Sequence, residues 1–282
     1  MKLRSLLFVP GDRPERFGKA AASGADALIL DLEDSVAASA KATAREAIAA
    51  YLSLPERALP LFVRINPLDS AFVEDDLAAV VHAKPDGIML PKAEGGKSVA
   101  ELLARLAKLG NDSALIFPLA TETPAAIFQL GSFGGISPRL CAMSWGAEDL
   151  PAAIGAATAR EPDGSYTPPY ELARTLTLFG AHAAGVPAIE TVFPDIKNVD
   201  GLAAYAARGR RDGFTGMMAI HPAQIPIIND AFTPSEAELA HARKIVDAFA
   251  AAPDAGVLQI DGKMVDAPHL KQARRILALS GA

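Results

Sequence analysis

The feature that most constrains the fold is a unit that recurs along the chain. Each unit is a short apolar run rich in β-forming residues, followed by a longer run rich in Ala and Leu. Eight such apolar runs occur, at residues 5–9, 27–30, 61–65, 87–90, 114–119, 140–144, 188–193 and 216–220. Strands that alternate with helices indicate βαβ units, and these units build a parallel sheet.

The number of units favours a closed barrel over an open sheet. Helices are predicted between the strands, at residues 40–52, 72–82, 98–109, 169–184 and 199–208. An open doubly wound sheet uses fewer strands and usually has a Gly-rich first turn. The first turn here reads Val9-Pro10-Gly11-Asp12-Arg13, which is not a GxGxxG motif. Eight units in about 220 residues match the (β/α)₈ TIM barrel, so the predicted fold class is α/β with this barrel.

The pattern changes in the last fifty or so residues. A helical run at 235–251 is followed by a short β-like piece at 257–260, and then by Asp261-Gly262 and a last helix at 268–279. These elements do not form a ninth barrel unit. We therefore expect two domains, a TIM-barrel catalytic domain at residues 1–233 and a C-terminal helical arm and lid at residues 234–282.

Composition excludes several classes of protein. The longest stretch without Asp, Glu, Lys or Arg, from Gly213 to Asn229, contains two prolines and is too short for a membrane span. A net charge of −6 argues against nucleic-acid binding. Cys141 is the only cysteine, so no internal disulfide can form. With no secretory or transit pattern at the N-terminus, we expect a cytoplasmic protein without a membrane or nucleic-acid partner.

Charged and polar residues follow nearly every predicted strand at its carboxyl end. In a barrel these ends converge on the face that holds active sites. Polar loops are expected in any α/β protein, but that does not explain such residues at seven strand ends. We therefore expect a functional site built from these residues: Asp31, Glu33, Asp34, Arg64, Asn66, Lys92, Glu122, Glu148, Asp149, Glu190 and His221.

Two of these acids suggest a metal site. Glu122 and Asp149 follow the fifth and sixth strands, and neighbouring strands lie about 4.8 Å apart. Two carboxylates that leave positions for water and substrate suit Mg²⁺. Alternatively, Glu122 could act on a helix dipole and Asp149 could cap a helix. The placement at adjacent strand ends favours the metal.

Arg64 is the expected anion-binding residue. It lies at the end of the third run, where a bidentate, permanently charged donor suits a carboxylate or a developing enolate. A buried ion pair with Asp31 or Glu33 is the alternative, and both roles can hold together. His221 has no nucleophile elbow such as GxSxG to work with, so a Ser–His–Asp hydrolase is not indicated.

Eight motifs in order resemble one family across nearly the whole chain. The motifs are Leu7-Phe8-Val9-Pro10-Gly11, Leu30-Asp31-Leu32-Glu33-Asp34-Ser35-Val36, Val63-Arg64-Ile65-Asn66, Met89-Leu90-Pro91-Lys92, Glu122-Thr123, Gly146-Ala147-Glu148-Asp149, Ile220-His221-Pro222-Ala223-Gln224-Ile225 and Gly262-Lys263-Met264-Val265-Asp266. With these motifs the chain resembles the citrate lyase beta-subunit-like enzymes, which include malyl-CoA lyases, within the HpcH/HpaI aldolase superfamily.

The resemblance implies a specific chemistry. It implies a TIM barrel in which Glu122 and Asp149 hold Mg²⁺ and Arg64 stabilises an enolate. The reaction would be reversible cleavage of a 3-hydroxyacyl-CoA, such as citryl-, malyl- or citramalyl-CoA, into an acyl-CoA and a 2-oxo acid. Pro10, Lys92 and His221 are expected, with Asp31, Glu33, Asp34 and Glu148, to contact substrate or to support the residues that do.

The resemblance also gives Asp266 a role and leaves alternatives open. Asp266 would exchange a proton with the acyl-CoA methyl carbon over a neighbouring subunit's barrel, which implies a homo-oligomer, by resemblance a trimer. Otherwise Asp266 is an ordinary acid before the final helix. Two other functions stay open, an acyl-CoA thioesterase on the same scaffold and a citrate lyase beta subunit that needs an acyl-carrier protein. Relatives usually have Lys where Met217 stands and Asp where Glu190 stands.

Overall fold

The structure is a computed structural model that describes residues 1–279. The chain forms two compact units. The first runs from Leu3 to Asn229, and the second contains the chain from Asp230 onwards together with Met1 and Lys2. Each unit has its own apolar core and is described separately below.

The first unit is a barrel of parallel strands. Within residues 3–229 the strands are β1 (Ser5–Pro10), β2 (Ala27–Asp31), β3 (Leu61–Arg64), β4 (Gly87–Leu90), β5 (Leu115–Pro118), β6 (Met143–Ser144), β7 (Ala188–Glu190) and β8 (Gly216–Ala219). Their order in the sheet is β5-β4-β3-β2-β1-β8-β7-β6. Two isolated parallel bridges, Ile116 to Leu140 and Leu119 to Ser144, join β5 to β6 and nearly close the sheet. The predicted TIM barrel is confirmed.

Helices follow the strands and cover the barrel. They are α1 (Phe17–Ala21), α2 (Lys41–Leu52), α3 (Val73–Val80), α4 (Gly96–Lys108), α5 (Pro124–Ile127), α6 (Asp149–Ile154), α7 (Pro168–Ala184), α8 (Val199–Asp212) and α9 (Ile225–Ala231). Helix α4 shows the pattern, because Val99, Leu102 and Leu106 are buried at helical spacing. No helix described within residues 1–279 has both the length and the apolar character needed to cross a membrane.

The register of the strands places charge just beyond the barrel core. Alternate strand positions fill the interior, among them Ile29 in β2 and Phe62 in β3. Two residues further along each strand, Asp31 pairs with Arg64 in the β2–β3 ladder. A strand period of two therefore directs this charged pair to the same side as the apolar core, at the carboxyl end.

Strands β6 and β7 are shorter than the apolar runs that predicted them. The predicted strand at 140–144 is reduced to Met143–Ser144, because Leu140 makes only a bridge to Ile116. The predicted strand at 188–193 ends at Glu190, where the Thr191 amide donates to the Glu190 side chain. Both strands therefore end where the chain turns to other hydrogen-bond partners.

The second unit contains a β-hairpin as well as helices. Its elements are α10 (Glu236–Ala251), β9 (Val257–Ile260), β10 (Lys263–Asp266) and α11 (Ala267–Leu279). Strand β9 coincides with the predicted β-like piece at 257–260, whereas strand β10 was not predicted. Asp261 and Gly262 have φ values of 51° and 77°, as a two-residue hairpin turn requires. Ile245, Ile260, Val265 and Ala273 form the core of this unit.

Candidate active site

A cavity of about 260 Å³ lies at the carboxyl ends of the barrel strands. This is the face where TIM barrels hold their active sites. The structure brings seven of the predicted site residues to its lining: Pro10, Asp31, Asp34, Arg64, Glu122, Glu148 and Asp149. The side chains of Leu119, Val192, Met218 and Ile220 add apolar surface. The cavity therefore combines an apolar wall with one fixed cation and several carboxylates, as small-molecule sites do.

Arg64 is held in a buried ion pair. Its Nε and Nη2 donate to Oδ1 and Oδ2 of Asp31 at 2.7 and 2.6 Å, and its Cζ lies 4.8 Å from the centre of the Phe8 ring. Burial acts to raise the pKa of Asp31, but the charge and hydrogen bonds of Arg64 outweigh it, and the pKa is lowered. The Asp31 pair fixes the guanidinium plane of Arg64, and the residue lines the cavity.

Glu33 joins Arg64 to Lys92. Its Oε2 lies 2.9 Å from Arg64 Nη1, and its Oε1 accepts from Lys92 Nζ at 2.9 Å. Burial raises the pKa of Glu33, although the charges of Arg64 and Lys92 act to lower it. Asp34 is 57% exposed and lies 3.8 Å from Arg64 Nη1. Glu33 therefore forms ion pairs with both cations without lining the cavity, whereas Asp34 lines it.

Lys92 connects the acids on neighbouring strands. Its backbone has a φ of 49°, uncommon for a residue with a side chain, and its amide donates to Glu122 Oε2 at 2.6 Å. Its Nζ lies 3.2 Å from Asp149 Oδ1. The pKa of Lys92 is raised because its interactions with Glu33, Asp149 and Glu122 outweigh the effect of burial. One residue thus contacts both predicted metal ligands, by its amide and by its ammonium group.

Glu122 and Asp149 face the same cavity. Glu122 is only 3% exposed, and burial together with the charge of Asp149 raises its pKa to about 8. The adjacent helix α5 is capped by Thr123, whose side chain accepts from the Ala126 amide. Helix α6 begins at Asp149, and its N-cap residue, Glu148, makes no capping hydrogen bond through its side chain. Neither Glu122 nor Asp149 acts as a helix cap.

Comparison with known proteins identifies the family. The family model described as HpcH/HpaI aldolase/citrate lyase matches residues 4–222, and a second, described as a C–C bond lyase of the TIM-barrel fold, matches residues 172–282. The chain belongs to the HpcH/HpaI aldolase/citrate lyase family. It is accordingly a carbon–carbon lyase, and the resemblance of its sequence motifs is confirmed.

The similarity extends over whole chains. A citrate lyase subunit beta-like protein of Mycobacterium tuberculosis is 38% identical over 275 residues, which cover 98% of this chain and 94% of that protein. The (3S)-malyl-CoA thioesterase of Cereibacter sphaeroides is 33% identical, with 99% and 95% covered. The crystal structure of CitE from M. tuberculosis with magnesium, acetoacetate and coenzyme A has a TM-score of 0.83 at 36% identity, with 99% and 98% covered.

The carboxylate pair fits a hard divalent cation. Both ligating groups offer oxygen, and the raised pKa of Glu122 shows that its negative charge is disfavoured beside Asp149 in a buried site. A divalent cation between the two would reverse that effect. Within residues 1–279 no group of three or more His, Cys, Asp or Glu side chains is placed to hold a metal. A two-carboxylate site that leaves positions for water and substrate matches the coordination habits of Mg²⁺.

His221 and Asp266 are placed differently from the other predicted residues. His221 is exposed, and its Nδ1 accepts from the Ala223 amide at 3.2 Å as the cap of a short 3₁₀ helix. Its neighbour Ile220 lines the cavity instead. Asp266 belongs to the second unit, at the end of β10, where its Oδ1 lies 2.5 Å from His269 Nδ1. The structural role of His221 is therefore helix capping.

Sequence reasoning missed several residues that line the cavity. Phe8, beneath Arg64, and Ser35, whose Oγ donates to Asp31 Oδ2 at 2.5 Å, stand within the family motifs but were not predicted as site residues. The signal for Phe8 was its position two residues before the end of β1, on the face that points into the barrel. Thr191 was not predicted to line the cavity, because the predicted seventh strand extended to residue 193 and placed Thr191 inside it.

Proposed function

We propose that this enzyme is a Mg²⁺-dependent lyase that cleaves or forms a 3-hydroxyacyl-CoA, such as citryl-, malyl- or citramalyl-CoA. The products of cleavage are an acyl-CoA and a 2-oxo acid. The observation that carries the proposal is the placing of Arg64, Glu122 and Asp149 around one cavity. The related CitE structure with magnesium, acetoacetate and coenzyme A supports this substrate class.

Different residues would bind the two halves of the substrate, the 2-oxo acid and the thioester. Glu122 and Asp149 would hold Mg²⁺, which when bound supplies a Lewis acid for the oxygens of the 2-oxo acid. Arg64 presents N–H groups to the negative charge that grows on the thioester oxygen as the carbon–carbon bond breaks. Because Asp31 already fixes the guanidinium, little reorganisation is needed at that moment.

Asp266 is our proposed acid or base at the acyl carbon. In cleavage, the electrons of the broken carbon–carbon bond form an enolate of the thioester, and its carbon then takes up a proton. The protonated carboxylic acid can supply that proton in cleavage, and the carboxylate can remove it in the condensation direction. The 3-hydroxyl group loses a proton in cleavage, when its carbon becomes the carbonyl carbon of the 2-oxo acid. We assign the step to Asp266 of a neighbouring subunit in a homo-oligomer, by family resemblance a trimer, with residues 234–282 acting as the lid.

The deciding experiment is a panel of acyl-CoA thioesters assayed with and without Mg²⁺. With malyl-CoA, formation of glyoxylate and acetyl-CoA identifies a lyase, whereas free malate and CoA identify a thioesterase. The thioesterase is the second candidate because the C. sphaeroides relative has that name. Cleavage that appears only with a carrier-protein thioester would identify a citrate lyase subunit. Glu122→Gln serves as the control that should be inactive in every arm.

A further inference from the structure

A second buried cluster lies directly behind the cavity, centred on Glu190. This residue ends β7 and is 0% exposed. Its Oε1 accepts from Trp145 Nε1 at 2.5 Å, from the Tyr205 hydroxyl at 2.9 Å and from the Thr191 amide at 3.0 Å. Its Oε2 accepts from Arg174 Nε at 2.7 Å. Four donors from four parts of the barrel therefore meet at one carboxylate.

Trp145 links this cluster to the predicted metal ligands. It is fully buried, follows β6 and directly precedes residues 146–149, all of which line the cavity. The next residue, Gly146, packs so closely that a Cβ added there would lie 2.6 Å from Glu122 Cγ. Asp149 lies at the far end of the same four-residue segment. A displacement of the indole would therefore disturb both carboxylates.

Thr191 links the same carboxylate to the neighbouring part of the lining, which follows β7. Its amide is bonded to Glu190 Oε1, and the residue itself lines the cavity together with Val192. The segment after β6 and the segment after β7 therefore each donate a hydrogen bond to the same buried oxygen, Glu190 Oε1. In Glu190→Asp the shorter side chain would move the carboxylate away from these donors. In Glu190→Gln the side-chain amide would point an N–H group at a donor in place of an accepting oxygen.

We propose that Glu190 is a positioning residue, which fixes the indole of Trp145 and through it the segment that carries Asp149. This inference depends on the proposed function in one respect, namely that Glu122 and Asp149 are the Mg²⁺ ligands. The alternative is a purely structural ion pair, since Arg174 also contacts Asp212 at 2.8 Å and could simply anchor α7. A structural ion pair predicts lost stability without a specific effect on the site.

Two matched variants separate these roles. Trp145→Phe keeps an aromatic ring, but it removes the indole N–H that donates to Glu190 Oε1 and leaves a smaller ring beside the segment 146–149. Tyr205→Phe removes a different donor to the same oxygen, from α8. We expect both to lower the midpoint of thermal unfolding, Trp145→Phe by the larger amount because the smaller ring also leaves a cavity. Only Trp145→Phe should weaken Mg²⁺ binding in calorimetry, by roughly tenfold or more, as loss of a supporting partner typically does.

Fluorescence gives a readout that needs neither metal nor turnover. Trp145 is the only tryptophan of the chain, so its emission reports this position alone. In Glu190→Gln we expect red-shifted emission and stronger quenching by acrylamide than in the wild type, and in Tyr205→Phe we expect neither. If Glu190→Gln does not fold, Trp145→Phe and Tyr205→Phe still decide by calorimetry.

The results that would overturn the inference are distinct from those that would overturn the proposed function. Equal Mg²⁺ affinity in Trp145→Phe and Tyr205→Phe, or unchanged emission in Glu190→Gln, refutes positioning. Wild-type protein that binds no Mg²⁺ and cleaves no acyl-CoA refutes the proposed function instead, and the fluorescence comparison then decides the role of Glu190 by itself.

Discussion

The substitution Asp31→Asn tests the buried pair that orients Arg64. Asp31 is 1% exposed and accepts five hydrogen bonds, from the Arg64 Nε and Nη2, the Ser35 hydroxyl, and the Glu33 and Ser35 amides. Asn keeps the shape of the side chain but removes its charge and turns one acceptor into a donor. Arg64 is then left buried with Glu33 as its remaining close counter-ion.

The expected loss of stability is about 3 kcal/mol. Removing one partner of a buried ion pair costs roughly 3–5 kcal/mol, and Glu33 at 2.9 Å from Nη1 keeps the loss near the lower end. Such a loss corresponds to a change of about 150-fold in the ratio of folded to unfolded protein. The control is Asp75→Asn, because Asp75 is 72% exposed and lies 3.3 Å from Arg45 Nη1. An exposed pair of this kind contributes about 0–1 kcal/mol.

Urea unfolding followed by Trp145 emission measures the effect in the barrel. We expect a lower midpoint with an unchanged slope. Because the pKa of Asp31 is lower in the folded protein than the unfolded value of about 3.9, its ionised form stabilises the fold above that pH. This contribution is lost as the pH falls from about 4 through the folded pKa. The difference between variant and wild type should therefore be constant from about pH 5 upward and shrink below about pH 4.

Two outcomes would show that the reasoning about Asp31 is wrong. One is an Asp31→Asn midpoint equal to that of Asp75→Asn, since the buried pair would then contribute no more than an exposed one. The other is a difference from wild type that grows as the pH falls below about 4, which would mean that the pKa of Asp31 is raised on folding.

Glu122→Gln and Asp149→Asn should each abolish turnover and Mg²⁺ binding with unchanged circular dichroism, and wild-type Mg²⁺ affinity in both by calorimetry would refute the metal site. Arg64→Lys should lower kcat by at least about 100-fold because a point charge cannot replace the planar fork; kcat near wild type would count against its role at the enolate. Inactive Asp266→Ala and Glu122→Ala subunits, mixed after dissociation and reassembly, should recover part of the activity. No recovery despite demonstrated subunit exchange would exclude a base from the neighbouring subunit.

The sequence alone predicted the barrel and placed a set of charged residues at the carboxyl ends of its strands. Strand and helix periods are local, so eight alternations are visible without knowledge of any contact. Position relative to a strand end is local too, and parallel strands bring all their carboxyl ends to one face. That is why Arg64, Glu122 and Asp149 could be placed at a common site before their contacts were known.

Three local features differ from the sequence prediction: the end of β7, the hairpin that contains β10, and the role of His221. The apolar run at 188–193 predicted a longer β7, but the Thr191 amide donates to the Glu190 carboxylate instead. The pair Asp261-Gly262 is typical of a two-residue hairpin turn, yet strand β10 was not among the predicted elements. His221 lies at a strand end, yet its ring caps a 3₁₀ helix.

Which side chains contact one another depends on the tertiary structure. The left-handed backbone of Lys92, its amide on Glu122 and its ammonium near Asp149 join residues far apart in the sequence. The Glu190 carboxylate accepts hydrogen bonds from a residue that follows β6, from one in α7 and from one in α8. These contacts depend on strand register and on how helices pack against a nearly closed barrel, and both are set by the burial of the whole core. No local spacing in the sequence encodes them, because the free energy that selects them belongs to the assembled barrel.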